Sequence, residues 1–435
     1  MLKEKEKDKT QIRVFIETFG CTFNKADSQI MAGNLLKNNI QLVDSIEKAD
    51  VAIVNTCYVK QPTESKIINR IQNIKSEFPD KKVIVSGCMV EIDPKKLDKI
   101  GPDCSWIGPH KLNKTTDVVK SSFKGEIVRE CGFSNDTKVG IPKLRFDYYI
   151  HIIQICEGCL GSCSYCCTRF ARGMLNSYSI KEIKKEAKEA IADGCVEIQL
   201  TAQDTAAFGK DTNEKLSKLV EEIATIPGDF RVRVGMMHPK SIGNDLDDLI
   251  QAFKLLNVYK FLHLPIQSGS NKILHDMRRD HLVGEYKDIV KKFKDEIPEL
   301  TIATDIIVGY PTETEEDFNK TSEFLKELKP GLIHLSKYKH REGALSSVLD
   351  EIPYDVMKRR SKYLTDIKSQ ITEDENKQLF GTVQKVLVVE KGNKGGYIAK
   401  TDSYIPVIVD DVDIGSFVDV EITETTGTYL RGKKV

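Results

Sequence analysis

The run Cys159-Leu-Gly-Ser-Cys163-Ser-Tyr-Cys166 places three thiols at C-x3-C-x2-C spacing directly after an apolar stretch, Tyr149 to Ile155. A closed structural zinc site or an electron-transfer cluster takes four protein ligands. Three thiolates in one short loop leave a metal position for something else, and in a 4Fe-4S cluster that open iron is a place for chemistry. Half of a zinc site, completed by Cys156 or Cys167, is the plainer use of the same thiols. The position also constrains the fold: the triplet sits where a strand ends and a helix follows, the kind of loop from which barrel enzymes build their sites.

A chain of 435 residues exceeds what one core usually supports, so two or three domains are expected. Its 65 Lys and Arg balance 65 Asp and Glu, which argues against strong non-specific attraction of the whole molecule to nucleic acid or to an anionic membrane. No run approaches the roughly 18 apolar residues of a spanning helix. The start, Met1 to Lys9, is a charged tail without the apolar stretch of a secretory signal. A cytoplasmic protein with no membrane partner is expected. In that compartment thiols stay reduced, so clustering among the 11 cysteines points to metal or catalysis rather than disulfides.

Before the triplet, Gln11 to Thr18, Ala49 to Asn55 and Lys82 to Ser86 read as short buried strands, with a helix over Lys25 to Asn38 and helix-length sequence between the others. Each strand is followed within a few residues by a cysteine: Cys21, Cys57 and Cys88. The intervals, 57 − 21 = 36 and 88 − 57 = 31, match one βαβ unit of about 30 or more residues. Loops beyond the carboxyl ends of parallel strands form the ligand crevice, so these thiols should converge on one side of the sheet. Three convergent thiols make a second cluster site.

From about residue 147, strand-like runs alternate with helical ones: Ile150 to Ile155, Val196 to Thr201, Arg231 to Gly235, Lys260 to Leu264, Ile302 to Val308 and Leu332 to Lys337. Six such units fit a partial (β/α)6 barrel. Ser179-Ile-Lys-Glu182 reads as a capping box opening the helix after the triplet. A polar helix from Asp355, carrying Lys358, Arg359, Arg360, Lys362 and Lys368, ends near Gly381, and its basic run reads as a solvated face. Four short alternating strands follow, over Thr382 to Glu390, Gly396 to Lys400, Ile405 to Val409 and Ser416 to Thr423, and suggest a small antiparallel barrel. From Gly381 onward seven Lys and Arg face eight Asp and Glu, so charge alone does not support RNA binding there. The expected class is α/β in three parts: a parallel-sheet βαβ domain over 10–125, a partial barrel over 145–372 and a small barrel over 376–435.

Taken together these features resemble the radical S-adenosylmethionine (SAM) methylthiotransferases, a family with two three-cysteine sites and a C-terminal TRAM-like RNA-binding domain. The resemblance rests on Thr18-Phe-Gly-Cys-Thr-Phe-Asn24, Asn55-Thr-Cys57, Ser86-Gly-Cys88, the triplet loop, Leu262-His-Leu-Pro-Ile-Gln-Ser-Gly-Ser270 and Thr304-Asp-Ile-Ile-Val-Gly-Tyr-Pro311. Glu157 to Cys166, followed by Ala171-Arg-Gly173, is similar to the archaeal and eukaryotic branch, which modifies N6-threonylcarbamoyladenosine beside the anticodon of tRNA.

The resemblance implies two 4Fe-4S clusters. One, on Cys159, Cys163 and Cys166, would cleave SAM to a radical that takes the unactivated C2 hydrogen of the adenine; the other, on Cys21, Cys57 and Cys88, would supply the sulfur. It also implies a tRNA anticodon stem-loop as partner, a low-potential donor such as ferredoxin or flavodoxin, and a sulfur source. By position, Tyr165, Glu197, Gln203, Gln267, Ser268, Ile307, Gly309 and Arg341 are candidates to hold SAM, with Arg172 a further candidate for SAM or RNA. Gly309 is read as allowing close backbone approach to the adenine of SAM. Cys104, Cys131, Cys156, Cys167 and Cys195 read as structural, and His238 and His263 as packing or loop histidines. Two other functions share part of this pattern: a methylthiotransferase acting on a ribosomal-protein side chain or on isopentenyladenosine, and a non-catalytic iron–sulfur RNA-binding protein.

Overall fold

The computed structural model describes residues 11–393 and 395–435, which form two compact units; the charged start, Met1 to Lys9, lies outside the described residues. The first unit runs to Phe146 and includes Cys167–Gly173; the second comprises Asp147–Cys166 and Met174–Val435.

The first unit is built on a parallel sheet of six strands: β1 (Arg13–Thr18), β2 (Gln41–Leu42), β3 (Val51–Thr56), β4 (Lys82–Gly87), β5 (Ser105–Ile107) and β6 (Arg129–Glu130), in the order β2-β1-β3-β4-β5-β6. The three long strands are those expected from the apolar runs; the three short ones carry too few residues to show a period. Each face of the sheet has its own core. On one side Val14, Ile53 and Ile84 pack against Ile30, Met31 and Leu35 of helix Thr22–Lys37 and Val118 and Val119 of helix Thr115–Phe123. On the other, Ala52, Val54 and Val85 pack against Ile67, Ile71 and Ile74 of helix Gln61–Glu77. Burial on both faces explains why β3 reads as an unbroken apolar run rather than an alternation.

The second unit holds two parallel three-stranded sheets and a closed barrel. A short ladder, β8 (Cys156–Glu157) with β9 (Asn176–Ser177), follows β7 (Ile150–Gln154). β10 (Glu197–Thr201) lies between β7 and β11 (Arg231–Val234), and β13 (Thr301–Val308) lies between β12 (Phe261–His263) and β14 (Leu332–Lys337). The bridge Val232 to Val258 links the two sheets, which gives the expected six parallel strands of a partial barrel. One set of alternating positions faces the helices, as where His151 meets Glu186 of helix Ile180–Ala192 at 2.9 Å. The other set, which includes Glu197, Gln199, Arg233, Phe261, His263, Asp305, Ile307 and His334, lines the inner face, as the registers and side-chain contacts show.

The helix start at Ser179 differs from expectation. Ser179 is the cap residue of helix Ile180–Ala192, but it is exposed and its side chain makes no capping bond. A capping box does form at Thr314 and Asp317, at the start of helix Glu315–Leu328. The basic helix, Tyr354–Lys377, is also less solvated than expected: buried Arg360 pairs with Glu313 at 2.8 Å and Glu315 at 3.0 Å, pinning the helix to the barrel.

The C-terminal strands β15 (Val383–Lys391), β16 (Tyr397–Thr401), β17 (Pro406–Val409), β18 (Phe417–Thr425) and β19 (Leu430–Lys434) close into a barrel around Val386, Val388, Val407, Val420 and Leu430. The fifth strand, Leu-Arg-Gly-Lys-Lys, lacks the apolar alternation that marks the other four. This barrel packs at the amino-terminal end of the inner face. Lys400 reaches Glu197 at 3.0 Å, and Asp402 pairs with Arg231 at 2.9 Å.

Candidate functional site

In the first unit the strand order around β1, β3 and β4 is that of doubly wound folds, whose ligand crevice opens where consecutive connections leave in opposite directions. That switch point lies between β1 and β3. Cys21 follows β1 as the cap residue of helix Thr22–Lys37, Cys57 directly follows β3, and Cys88 begins the turn of helix Cys88–Ile92 after β4. The expected convergence is present in their fields: Cys57 feels both Cys88 and Cys21, and burial with those neighbours raises its thiol to about 12. Burial raises Cys88 as well, opposed by the Arg172 guanidinium. Burial holds these thiols protonated, so a metal bound there would have to displace their protons and take them as thiolates.

Arg172 lies six residues beyond Cys166 in sequence, yet it belongs to the first unit. It pairs with Asp27 at 2.7 Å and donates to Asn24 Oδ1 at 2.7 Å, while Lys138 meets the other Asp27 oxygen at 3.0 Å. Asn24 Oδ1 also lies 3.9 Å from Cys88 Sγ. Arg172, the further candidate for SAM or RNA, is 1% exposed and is a buried charge beside the N-terminal thiols.

In the second unit the loop Cys159–Cys166 leaves β8 with its three thiols half-buried. Cys159 feels both Cys166 and Cys163, and burial raises its thiol to about 12. Gly161 sits among them: its amide donates to Cys159 Sγ at 3.2 Å, and a β-carbon there would lie 3.4 Å from Cys159 Sγ and 3.9 Å from Cys163 Sγ. The loop is anchored at both sides. Gln203 Oε1 accepts from the Gly158 amide at 2.8 Å; the Ser164 amide donates to the Met277 carbonyl at 3.0 Å and its hydroxyl meets Tyr310 at 2.9 Å. Three half-buried thiols near enough to feel one another, on a loop anchored at both sides, suit a three-ligand cluster.

Arg279 escaped the sequence reading. It is 5% exposed and directs Nη1 at Cys163 Sγ at 3.7 Å. Its field also bears on two histidines already penalised by burial, His238, lowered to about 2, and His281, lowered to about 4, and so helps keep both neutral. Neutral His238 uses Nδ1 to accept from the Lys240 amide at 3.2 Å. The signal for Arg279 was a basic pair, Arg278-Arg279, just past a helix, which nothing in spacing distinguishes from a solvated one.

The remaining candidates divide. Tyr165 and Ile307 come together with Ile273, Met277, Tyr310 and Tyr338 in one apolar cluster beside the loop. Gln267 has φ 80°, takes a bond from the Ile307 amide at 3.0 Å and gives one to the Asp305 carbonyl at 2.9 Å, locking the loop after β12 to β13. Arg341 is buried after β14. Three readings need correction. Glu197 is the first residue of β10, at the opposite end from the cysteine loop, and is wholly buried against Lys400, Tyr259 and Gln199. It anchors the small barrel. Ser268 turns its hydroxyl to Thr321 at 3.2 Å and is wholly buried at a loop-to-helix junction. At Gly309, φ 78°, a β-carbon would lie 2.3 Å from Met357 Cγ, so the space beside the glycine that was assigned to an adenine is taken by a side chain of helix Tyr354–Lys377. His263 lies in a polar group: one ligand-type atom each of His263, Asp305 and His334 lies within 4.8 Å of the others on the inner face.

Three family profiles match in succession: uncharacterized protein family UPF0004 over residues 13–108, the radical SAM superfamily over 153–325 and the TRAM domain over 377–435. The chain is 57% identical to a probable threonylcarbamoyladenosine tRNA methylthiotransferase of Methanothermobacter thermautotrophicus, over 96% of this chain and 99% of that one. It is 33% identical to the Homo sapiens threonylcarbamoyladenosine tRNA methylthiotransferase, over 97% of this chain and 74% of that one. Among solved structures, the radical S-adenosylmethionine methyltransferase TsrM of Kitasatospora setae superposes with a TM-score of 0.58 at 11% identity, covering 86% of this chain and 77% of that one, a likeness of fold. By its length of match and its identity to these relatives, the chain belongs to the threonylcarbamoyladenosine tRNA methylthiotransferase family.

Proposed function

We propose that this protein is a cytoplasmic radical-SAM enzyme that adds a methylthio group to C2 of N6-threonylcarbamoyladenosine next to the anticodon of tRNA. The observation that carries this reading is the thiol arrangement at Cys159, Cys163 and Cys166, in a chain whose full-length relatives bear that activity in their names. Cys159, Cys163 and Cys166 hold one 4Fe-4S cluster and Cys21, Cys57 and Cys88 hold another. When bound, these groups supply reductive cleavage of SAM and a transferable sulfur, chemistry no side chain can perform on an unactivated C–H bond.

The chain's own residues do the placing. The Gly161 amide steadies Cys159 and Arg279 lends positive charge to Cys163. Tyr165 and Ile307 offer an apolar wall to SAM, Gln203 and Gln267 fix the loops that bound it, and Arg341 sits at the loop after β14. Arg172 and Asp27 set the electrostatics beside Cys88. In this reading residues 10–125 carry the auxiliary cluster, 145–372 the radical chemistry and 376–435 the contact with the anticodon stem-loop. A low-potential donor of the ferredoxin or flavodoxin class and a sulfur source complete the reaction.

Mass spectrometry of tRNA nucleosides from cells with and without the gene tests the assignment. Loss of a methylthio derivative of threonylcarbamoyladenosine is expected in the deletion. Unchanged nucleosides, with a modified ribosomal protein lost instead, would move the enzyme to the protein-modifying branch; loss of a methylthio isopentenyladenosine would change the base it serves.

A further inference from the structure

Near the small barrel on the inner face, Lys400 meets Glu197 at 3.0 Å and Arg231 meets Asp402 at 2.9 Å, while His263 bonds to Asp305 at 2.7 Å. Arg233 differs from them. It is the third residue of β11, half-buried, between Val232 and Val234, which point to the helices. Its Nε is buried without a hydrogen-bond partner, and its guanidinium enters no ion pair among the described residues. What it touches instead are aromatic faces, Phe261 at 5.6 Å and Tyr404 at 5.7 Å from ring centre. The Phe261 ring lies 6.4 Å from that of His263, which in turn lies 5.6 Å from His334.

A guanidinium within cation–π reach of two rings is attracted to their faces, and its planar fork of donors matches a carboxylate in two parallel hydrogen bonds. Its buried Nε is the atom left without an acceptor, and an unpaired buried donor is costly, which favours a partner delivered by a ligand. The nearby protein carboxylates are already taken, so a ligand carboxylate meets no competitor for Arg233. The threonylcarbamoyl group on N6 of the proposed base ends in a carboxylate. We propose that Arg233, set beside Phe261 and Tyr404, is the subsite that receives the threonyl carboxylate of the substrate and so selects this base over one with an apolar N6 substituent. The inference rests on the substrate assigned above.

The test uses holoenzyme and two anticodon stem-loop RNAs, one with threonylcarbamoyladenosine and one with the carboxylate replaced by its primary amide. Dissociation constants and kcat/KM are measured for the wild type and for Arg233→Met and Arg233→Lys, with iron content and melting temperature as checks of folding. The wild type should bind the acid roughly ten- to hundredfold more tightly than the amide, the scale of a charge-assisted pair. Arg233→Met should bring that ratio near one by weakening the acid alone, and Arg233→Lys should keep part of it. A wild type indifferent to the amide, or an Arg233→Met enzyme that keeps the full preference, overturns the subsite while leaving the substrate assignment intact. A wild type that modifies neither RNA, yet modifies another substrate, removes the substrate assignment and this subsite with it.

Discussion

The two cysteine trios differ in where their geometry comes from. Cys159, Cys163 and Cys166 lie within eight residues, and one loop folded around Gly161 brings them together. Cys21, Cys57 and Cys88 are spread over 68 positions (21 to 88) and meet because three strands end on one side of a sheet. The first trio is a property of a loop, the second of a domain. The charge beside each also differs: Arg279 faces Cys163 from within its own unit, whereas the Arg172 beside Cys88 is supplied by the short segment that directly follows Cys166 in the chain.

The largest expected effects separate the trios outright. Cys163→Ala should remove about four irons and abolish 5'-deoxyadenosine formation from SAM, whereas Cys57→Ala should also remove about four irons but leave SAM cleavage running without methylthio transfer. Iron assay and chromatography of the SAM products read both; 5'-deoxyadenosine formation lost in both variants, or kept in both, would erase the distinction. Next is Arg172→Met, which leaves Asp27 buried with part of its pairing gone. Breaking such a pair costs about 3–5 kcal/mol, so chemical denaturation should show the first unit losing stability while the second unfolds as before. A variant with unchanged unfolding would show that Arg172 does not hold the domain trio.

Smaller effects sharpen the contrast. Arg279→Gln removes a positive charge 3.7 Å from a cluster thiolate, and a cation there favours the more negative, reduced state. The midpoint potential of the radical-SAM cluster, followed by electron paramagnetic resonance, should therefore fall, with that of the auxiliary cluster unmoved. Equal shifts in both would contradict a local origin. Last, Thr314→Ala deletes the cap of helix Glu315–Leu328 in the second unit and should cost about 1 kcal/mol of its stability by denaturant titration, without changing iron content.

The contrast also explains what the sequence made legible. Thiols in one loop announce themselves by spacing, and strand-end cysteines by repeating at the length of a βαβ unit. Alternation along β10 places Glu197 on the inner face but does not say which end of the strand faces the cofactor, and four steps of about 3.3 Å put Glu197 and Thr201 about 13 Å apart. Spacing likewise cannot reveal that Met357 fills the place beside Gly309, because that contact joins positions 48 residues apart (309 to 357). Arg279 and Arg233 look like ordinary surface bases in a chain with 65 Lys and Arg. Their roles arise from burial and from the acids that their neighbours have already claimed. β19 was hidden for a different reason: its Gly and three basic residues give no alternation, and its place is dictated by closure between β17 and β18.

Iron content and Mössbauer spectra of reconstituted wild type beside a Cys21→Ala, Cys57→Ala, Cys88→Ala triple variant address the two-site claim most directly. About eight irons in two cubane signals should fall to about four in one, with 5'-deoxyadenosine still produced. An iron count unaltered by the triple change would contradict a second cluster on those thiols.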